Sequence, residues 1–359
     1  PYTILIARMR CRRRASYAGS ALVHSGLAAL VSMLLLCIGA QALSMGLGFP
    51  RLAPVVWMLA ATLPLMLLRE VARRFFFADL QLARAVQLDA AVAACQLSLI
   101  AWLAVSGRLS ATTALAALGL GCAVSGAAWL ARSRHRFEIH RRRVVRDWRC
   151  NWSLGRWVFV EQMCGTTNSY SLHWLLAMLL GAAATGEFAA AVAVVSLSNP
   201  VIIGLGNVLG PATARAFATG GAPEMRRLIQ TFTSRMAGLM LLFCLVIAVF
   251  GDAALTALYG PAYANHGMAL TLLALGLAVN ALGMAADSGL RAVGQPRETF
   301  VASLLALLVT LAAGVLLTPA WDISGAACAV LAGNLVGTAA RWFAFLRFSS
   351  GANAAGATA

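Results

Sequence analysis

The sequence contains no lysine: all 28 of its basic residues are arginine. The Gly-rich loop that cradles nucleotide phosphates ends in lysine, so work driven by that kind of site is excluded. Charge of either sign is scarce, at 11% of residues with only 12 acids, whereas soluble domains carry about a quarter charged residues. A water-exposed surface cannot be built from so few. The eight cysteines include no CxxC pair and no zinc-ligand spacing. Cys37, Cys95, Cys122, Cys164, Cys244 and Cys328 lie in apolar stretches, and Cys11 and Cys150 in Arg-rich ones. Neither a disulfide framework nor a metal site is expected. Extended polar domains are missing too, which leaves little room for an enzyme's acids and bases outside a membrane.

What the chain has instead is apolar sequence, 61% of it, at a mean hydropathy of +0.81. A spanning helix needs about 20 apolar residues, and ten stretches meet or approach this length: 20–44, 53–74, 86–106, 111–131, 157–180, 187–209, 231–250, 266–287, 298–317 and 323–345. Lipid offers backbone groups no partner, so each must be helical. If each crosses once, every arginine except Arg51 and Arg108 falls on one side. Cytoplasmic loops keep Arg while translocated loops lose it, which puts that side, and both termini of this sequence, in the cytoplasm. The net charge of +16 is therefore a topology signal spread over short loops, and nucleic-acid binding is not expected.

The expected fold is an all-α integral membrane protein of ten transmembrane helices in two bundles. Residues 1–131 form an N-terminal lobe of four spans, 132–156 an Arg-rich cytoplasmic linker, 157–348 a C-terminal lobe of six spans, and 349–359 a disordered tail. Trp148, Trp152 and Trp157 close the linker, where amphipathic rings suit the headgroup level. Gly220, Gly221 and Pro223 predict a helix break between the sixth and seventh spans. Asn199-Pro200 predicts an interruption within the sixth. Leu68-Arg69-Glu70-Val71 and Leu290-Arg291-Ala292-Val293 recur six spans apart, a faint echo of the repeated halves common in carriers.

Five segments carry a resemblance: LREVARRFFFADLQLARAVQLD from Leu68, NWSLGRW from Asn151, LSNPVIIGLGNVLGPATARAF from Leu197, LYGPAYA from Leu258 and GLRAVGQPRETF from Gly289. In these the chain resembles the polysaccharide (O-antigen type) flippases, of the superfamily that also holds multidrug exporters and the lipid II flippase. The resemblance implies two lobes around a central cavity, normally of twelve or more spans. Residues 1–5 then resemble the approach to a third span, and the first two spans of a twelve-helix architecture are expected to be lacking.

Intramembrane polar residues are functional candidates by default. Arg235, near the start of the seventh span, is a candidate for the diphosphate of a lipid-linked sugar, because guanidinium matches phosphate with paired donors; snorkelling to headgroups is its bland alternative. Arg156 joins it as a second candidate for that ligand. Glu161 and Asn168, two helical turns apart on one face, are candidates for sugar hydroxyls, or else tie helices together. Asp287 and Arg291, spaced to meet on one helix, and the Asn199-Pro200 interruption are the gating or coupling candidates. The function so implied is a non-enzymatic, non-hydrolytic flippase of the bacterial inner membrane working by alternating access, without cofactor or metal. Its partners would be an undecaprenyl-diphosphate-linked oligosaccharide, membrane lipids and a polysaccharide polymerase or export complex. An ion-coupled drug or metabolite exporter of the same superfamily and a non-transporting component of polysaccharide assembly are the rival readings.

Overall fold

The computed structural model describes residues 6, 11–45 and 53–356. The segment 1–5 and Arg51 lie outside the described residues. Nine α-helices and no strands are found among them: α1 (Cys11–Met45), α2 (Ala53–Ala78), α3 (Leu82–Val105), α4 (Ala111–Ser133), α5 (Arg141–Leu179), α6 (Ala182–Val195), α7 (Asn199–Tyr259), α8 (Gly267–Val293) and α9 (Pro296–Gly356).

Seven helical runs are long and apolar enough to cross a membrane. Two of them contain a backbone break. The run Ala182–Tyr259 breaks at Gly221, with φ 68° and ψ −159°, and the run Pro296–Ser349 breaks at Trp321 and Asp322, where Asp322 has φ 48°. Dividing these two runs gives nine spans, and α5 is the tenth. It is not among the seven because Glu161, Gln162, Asn168 and His173 dilute its apolar character. Each of the ten predicted spans thus falls on helix. The sixth is interrupted as Asn199-Pro200 predicts: α6 stops at Val195, a 3-10 turn covers Ser196–Ser198, and α7 starts at Asn199 with Pro200 in its first turn. Proline is tolerated there because the first helical N–H groups have no acceptor in the helix.

The side chains are distributed for lipid rather than water. Among the described residues the buried apolar positions are dominated by alanine, such as Ala274, Ala278, Ala281 and Ala285 on α8, while α1 exposes Leu30, Leu34, Leu35 and Ile38. Hydrocarbon is as apolar as leucine, so membrane bundles bring small residues together to gain close packing. The chain is an integral membrane protein.

Two compact units divide it, Pro1–Trp152 and Ser153–Ala359. In the N-terminal unit, α4 lays Gly119 against Thr62 and Gly126 against Leu68 of α2, and Gly121 against Val92 of α3. Phe75, Trp129 and Phe137 pack edge to face with centroids 5.3 to 5.7 Å apart. Asp89 joins α3 to α2 by accepting from Arg69 at 2.5 Å and pairing with Arg73 at 3.0 Å. The Arg-rich stretch from Arg141 is helical and runs on into the fifth span as one helix. Its part within this unit docks on α1: Tyr17 donates to Asn151 Oδ1 at 2.5 Å, His24 meets Asn151 Nδ2 at 3.1 Å and the Val144 carbonyl at 3.0 Å, and Trp148 stacks edge-on against His24.

In the C-terminal unit, α8 packs against both α7 and α9, and its alanines form the centre of the largest core cluster, with Leu172, Leu176, Phe188, Met236 and Met240 around them. The Gly221 break has a direct test. A Cβ there would meet nothing nearer than Pro223 Cδ at 3.7 Å, so the only penalty for Gly221→Ala is the backbone conformation, of order 1–3 kcal/mol. Thermal unfolding should show Gly221→Ala destabilised and Gly238→Ala, at a helical glycine with open space, unchanged or slightly stabilised; equal behaviour would remove the strain argument.

Candidate functional site

The C-terminal unit encloses a cavity of about 750 Å³ between α5, α6, α7, α8 and α9. Its size falls within the roughly 300–1,000 Å³ of small-molecule sites. One wall is the face of α5 that carries Glu161, Gly165, Asn168 and Leu172, positions three or four apart and therefore aligned. Val192 and Val195 come from α6, Asn199 from the turn into α7, and Asn280, Met284 and Asp287 from α8. Ser303, Asn334 and Arg341 complete it from the two halves of α9.

At one end four charges form two ion pairs between helices. Glu161 of α5 accepts twice from Arg291 Nη2 of α8, at 2.7 and 2.6 Å, and once from Thr299 Oγ1 of α9 at 3.3 Å. Asp287 of α8 lies 3.3 Å from Arg341 Nε of α9. Arg341 also donates to Asn280 Oδ1 and Ser303 Oγ, both at 3.1 Å. Two carboxylates face two guanidiniums, so the end of the cavity carries no net charge. Burying an ion costs several kcal/mol unless it is paired and hydrogen-bonded; Arg341 is paired with Asp287 and donates through both Nη atoms, while its Nε faces Asp287 without a hydrogen bond.

The spacing of Asp287 and Arg291 suggests a pair within one helix. The structure instead gives each a partner on another helix, because both side chains lie against neighbouring helices that supply the opposite charge. Asn168 Oδ1 and His173 Nδ1 are buried on the cavity wall without a hydrogen-bond partner. Buried polar atoms are nearly always satisfied, so a side-chain rotation that turned either atom into the cavity would gain a bond to a ligand's hydroxyl. His173 is held by Phe188, edge to face at 5.1 Å, with Tyr170 beside it at 6.2 Å. Among the described residues no three His, Cys, Asp or Glu side chains converge as metal ligands would.

Of the residues singled out from sequence, Glu161, Asn168, Asp287 and Asn199 line this cavity, and Arg291 is bonded to Glu161 at its end. Pro200 is exposed one residue beyond Asn199. Arg235 and Arg156 are exposed and do not line the cavity. Arg341 also lines the cavity, although by its place in the sequence it belongs with the topology-setting arginines. Its place inside the stretch 323–345, four residues short of the end, is the signal that marks it.

Residues 2–217 match the model of a family described as polysaccharide biosynthesis protein. Solved structures with the same fold include a MATE in the bent conformation, 14% identical with a TM-score of 0.87, the match covering 99% of this chain and 83% of that one. The MATE transporter VcmN of Vibrio cholerae in its bent form is 18% identical with a TM-score of 0.82, covering 98% and 84%. A MOP superfamily transporter from Pyrococcus furiosus, described as having a binding pocket of reverse polarity, is 13% identical with a TM-score of 0.85, covering 97% and 82%. No curated protein matches the sequence.

Proposed function

The chain belongs to the polysaccharide biosynthesis protein family, and on that premise we propose that it is a flippase that moves an undecaprenyl-diphosphate-linked oligosaccharide across the bacterial inner membrane, its C-terminal cavity taking part of the glycan. The observation that carries this reading is the chemistry of the cavity wall. Asn168, Asn199, Asn280, Asn334 and Gln162 present amides, each both donor and acceptor, and sugar hydroxyls need both. Apolar patches from Leu172, Val192 and Ile202 alternate with them, as suits a sugar ring with its C–H and O–H faces.

The charge balance favours this ligand over a cationic drug. A cation would be held by carboxylates without countercharge, whereas Glu161 and Asp287 are each already paired. Transport would be non-hydrolytic and non-enzymatic, with both termini of the sequence cytoplasmic and a polysaccharide polymerase or export complex receiving the product. In cells lacking the protein, lipid-linked repeat units should build up on the cytoplasmic leaflet and surface polysaccharide should fall, both restored by the wild-type gene. Normal surface polysaccharide together with altered drug sensitivity would refute the flippase reading in favour of an exporter.

A further inference from the structure

Away from the cavity, where α5 enters the fifth span and α9 begins, two exposed arginines share one indole. The Arg156 guanidinium carbon lies 5.3 Å and that of Arg297 5.9 Å from the centroid of the Trp157 ring. Phe300 packs against the same ring at 5.7 Å. Among the described residues neither arginine makes an ion pair, and Glu298, the residue after Arg297, is bonded to neither. Both cations thus sit within about 6 Å of one ring centroid, and an anion beside that ring is attracted by both.

The residues that follow on each helix say where this corner sits. On α5, Phe159, Val160 and Met163 stand three, four and seven positions after Arg156, one face of the helix, and all are exposed. On α9, Val301, Leu305 and Leu308 stand four, eight and eleven positions after Arg297, again on one face, and are exposed as well. Two exposed apolar stripes therefore each end in an arginine, with a tryptophan beside both arginines. Tryptophan and arginine ending an apolar band are the marks of the headgroup level, and basic pockets between spanning helices hold anionic lipid headgroups.

We propose that this corner of the C-terminal unit binds an anionic phospholipid of the surrounding bilayer, its phosphate held between Arg156 and Arg297 beside Trp157 and its acyl chains laid along the two stripes. Guanidinium is suited to this because it offers phosphate two parallel donors while its flat face stays on the indole. The two arginines are exposed and the site shares no residue with the cavity, so it does not depend on what the cavity carries.

The test uses the whole chain purified in a neutral detergent and native mass spectrometry with added phosphatidylglycerol, phosphatidylcholine, inorganic pyrophosphate or farnesyl diphosphate. Phosphatidylglycerol should be retained as a discrete adduct and should raise the melting temperature, and phosphatidylcholine should do neither. In the double variant Arg156→Gln with Arg297→Gln, retention should fall by roughly tenfold or more, while Arg156→Lys with Arg297→Lys should keep most of it and Arg108→Gln should keep all. Equal retention by wild type and the double Gln variant would overturn the proposal. So would pyrophosphate displacing the lipid, which would make the corner a free-phosphate site. Preferential retention of farnesyl diphosphate would overturn it too, by assigning the corner to isoprenoid substrate.

Discussion

Arg341→Leu is expected to destabilise the protein by about 3–5 kcal/mol, the cost of removing one partner from a buried ion pair. Asp287 and Arg341 expose only 13% and 11% of their side chains, so solvent cannot replace the lost cation. Arg291 stands one helical turn from Asp287 and could turn toward it, but only by leaving Glu161. The substitution also strips Asn280 and Ser303 of the donors they receive from Arg341. Arg341→Leu with Asp287→Leu should therefore be much more stable than Arg341→Leu alone, since removing both charges of a buried pair is often neutral. Unfolding in detergent measures all three proteins. Losses that simply add, single variant upon single variant, would show that the two groups do not stabilise each other.

Gly165→Trp is expected to abolish transport without harming the fold. Gly165 lies on the cavity face of α5, and a Cβ built on it meets no atom within 4 Å, so a large side chain can grow into the cavity without moving its neighbours. Replacing a helical glycine also gains about 0.5–1 kcal/mol of helix propensity. The melting temperature should hold or rise while surface polysaccharide in the complemented deletion strain drops to the level of cells without the protein. That pattern separates a blocked cavity from a damaged one. Wild-type export by a stable, well-expressed Gly165→Trp would remove the cavity from the transport route.

Most of the helix pattern could be read before the structure, because lipid enforces it: an apolar run of about 20 residues has no option but helix. The breaks at Gly221 and before Asn199 were legible too, since glycine and proline act locally. Less legible was the continuity of α5. Arg141 to Arg149 reads as linker by charge, yet arginine is a good helix former and the stretch is docked by Tyr17 and His24, residues more than a hundred positions away. Asp287 and Arg291 expose a similar limit. Spacing reports which groups can meet on one helix, but Glu161 and Arg341 arrive from other helices, and the partner with the better interhelical geometry takes the bond. The echo between Leu68-Arg69 and Leu290-Arg291 acquires content here: in each unit the repeated arginine bonds a carboxylate of another helix, Asp89 for Arg69 and Glu161 for Arg291. Arg341 was hidden because a topology-setting arginine and a buried, paired one look identical in a string of letters.

As a flippase, the protein is proposed to admit the glycan of its lipid-linked substrate to the C-terminal cavity, where it meets Asn168. A photoactivatable amino acid at position 168, irradiated in cells making the polysaccharide, should form an adduct that carries both lipid and sugar. The same probe at Leu241, an exposed position on α7, should capture phospholipid and no sugar. Sugar captured at 241 and never at 168 would contradict the account.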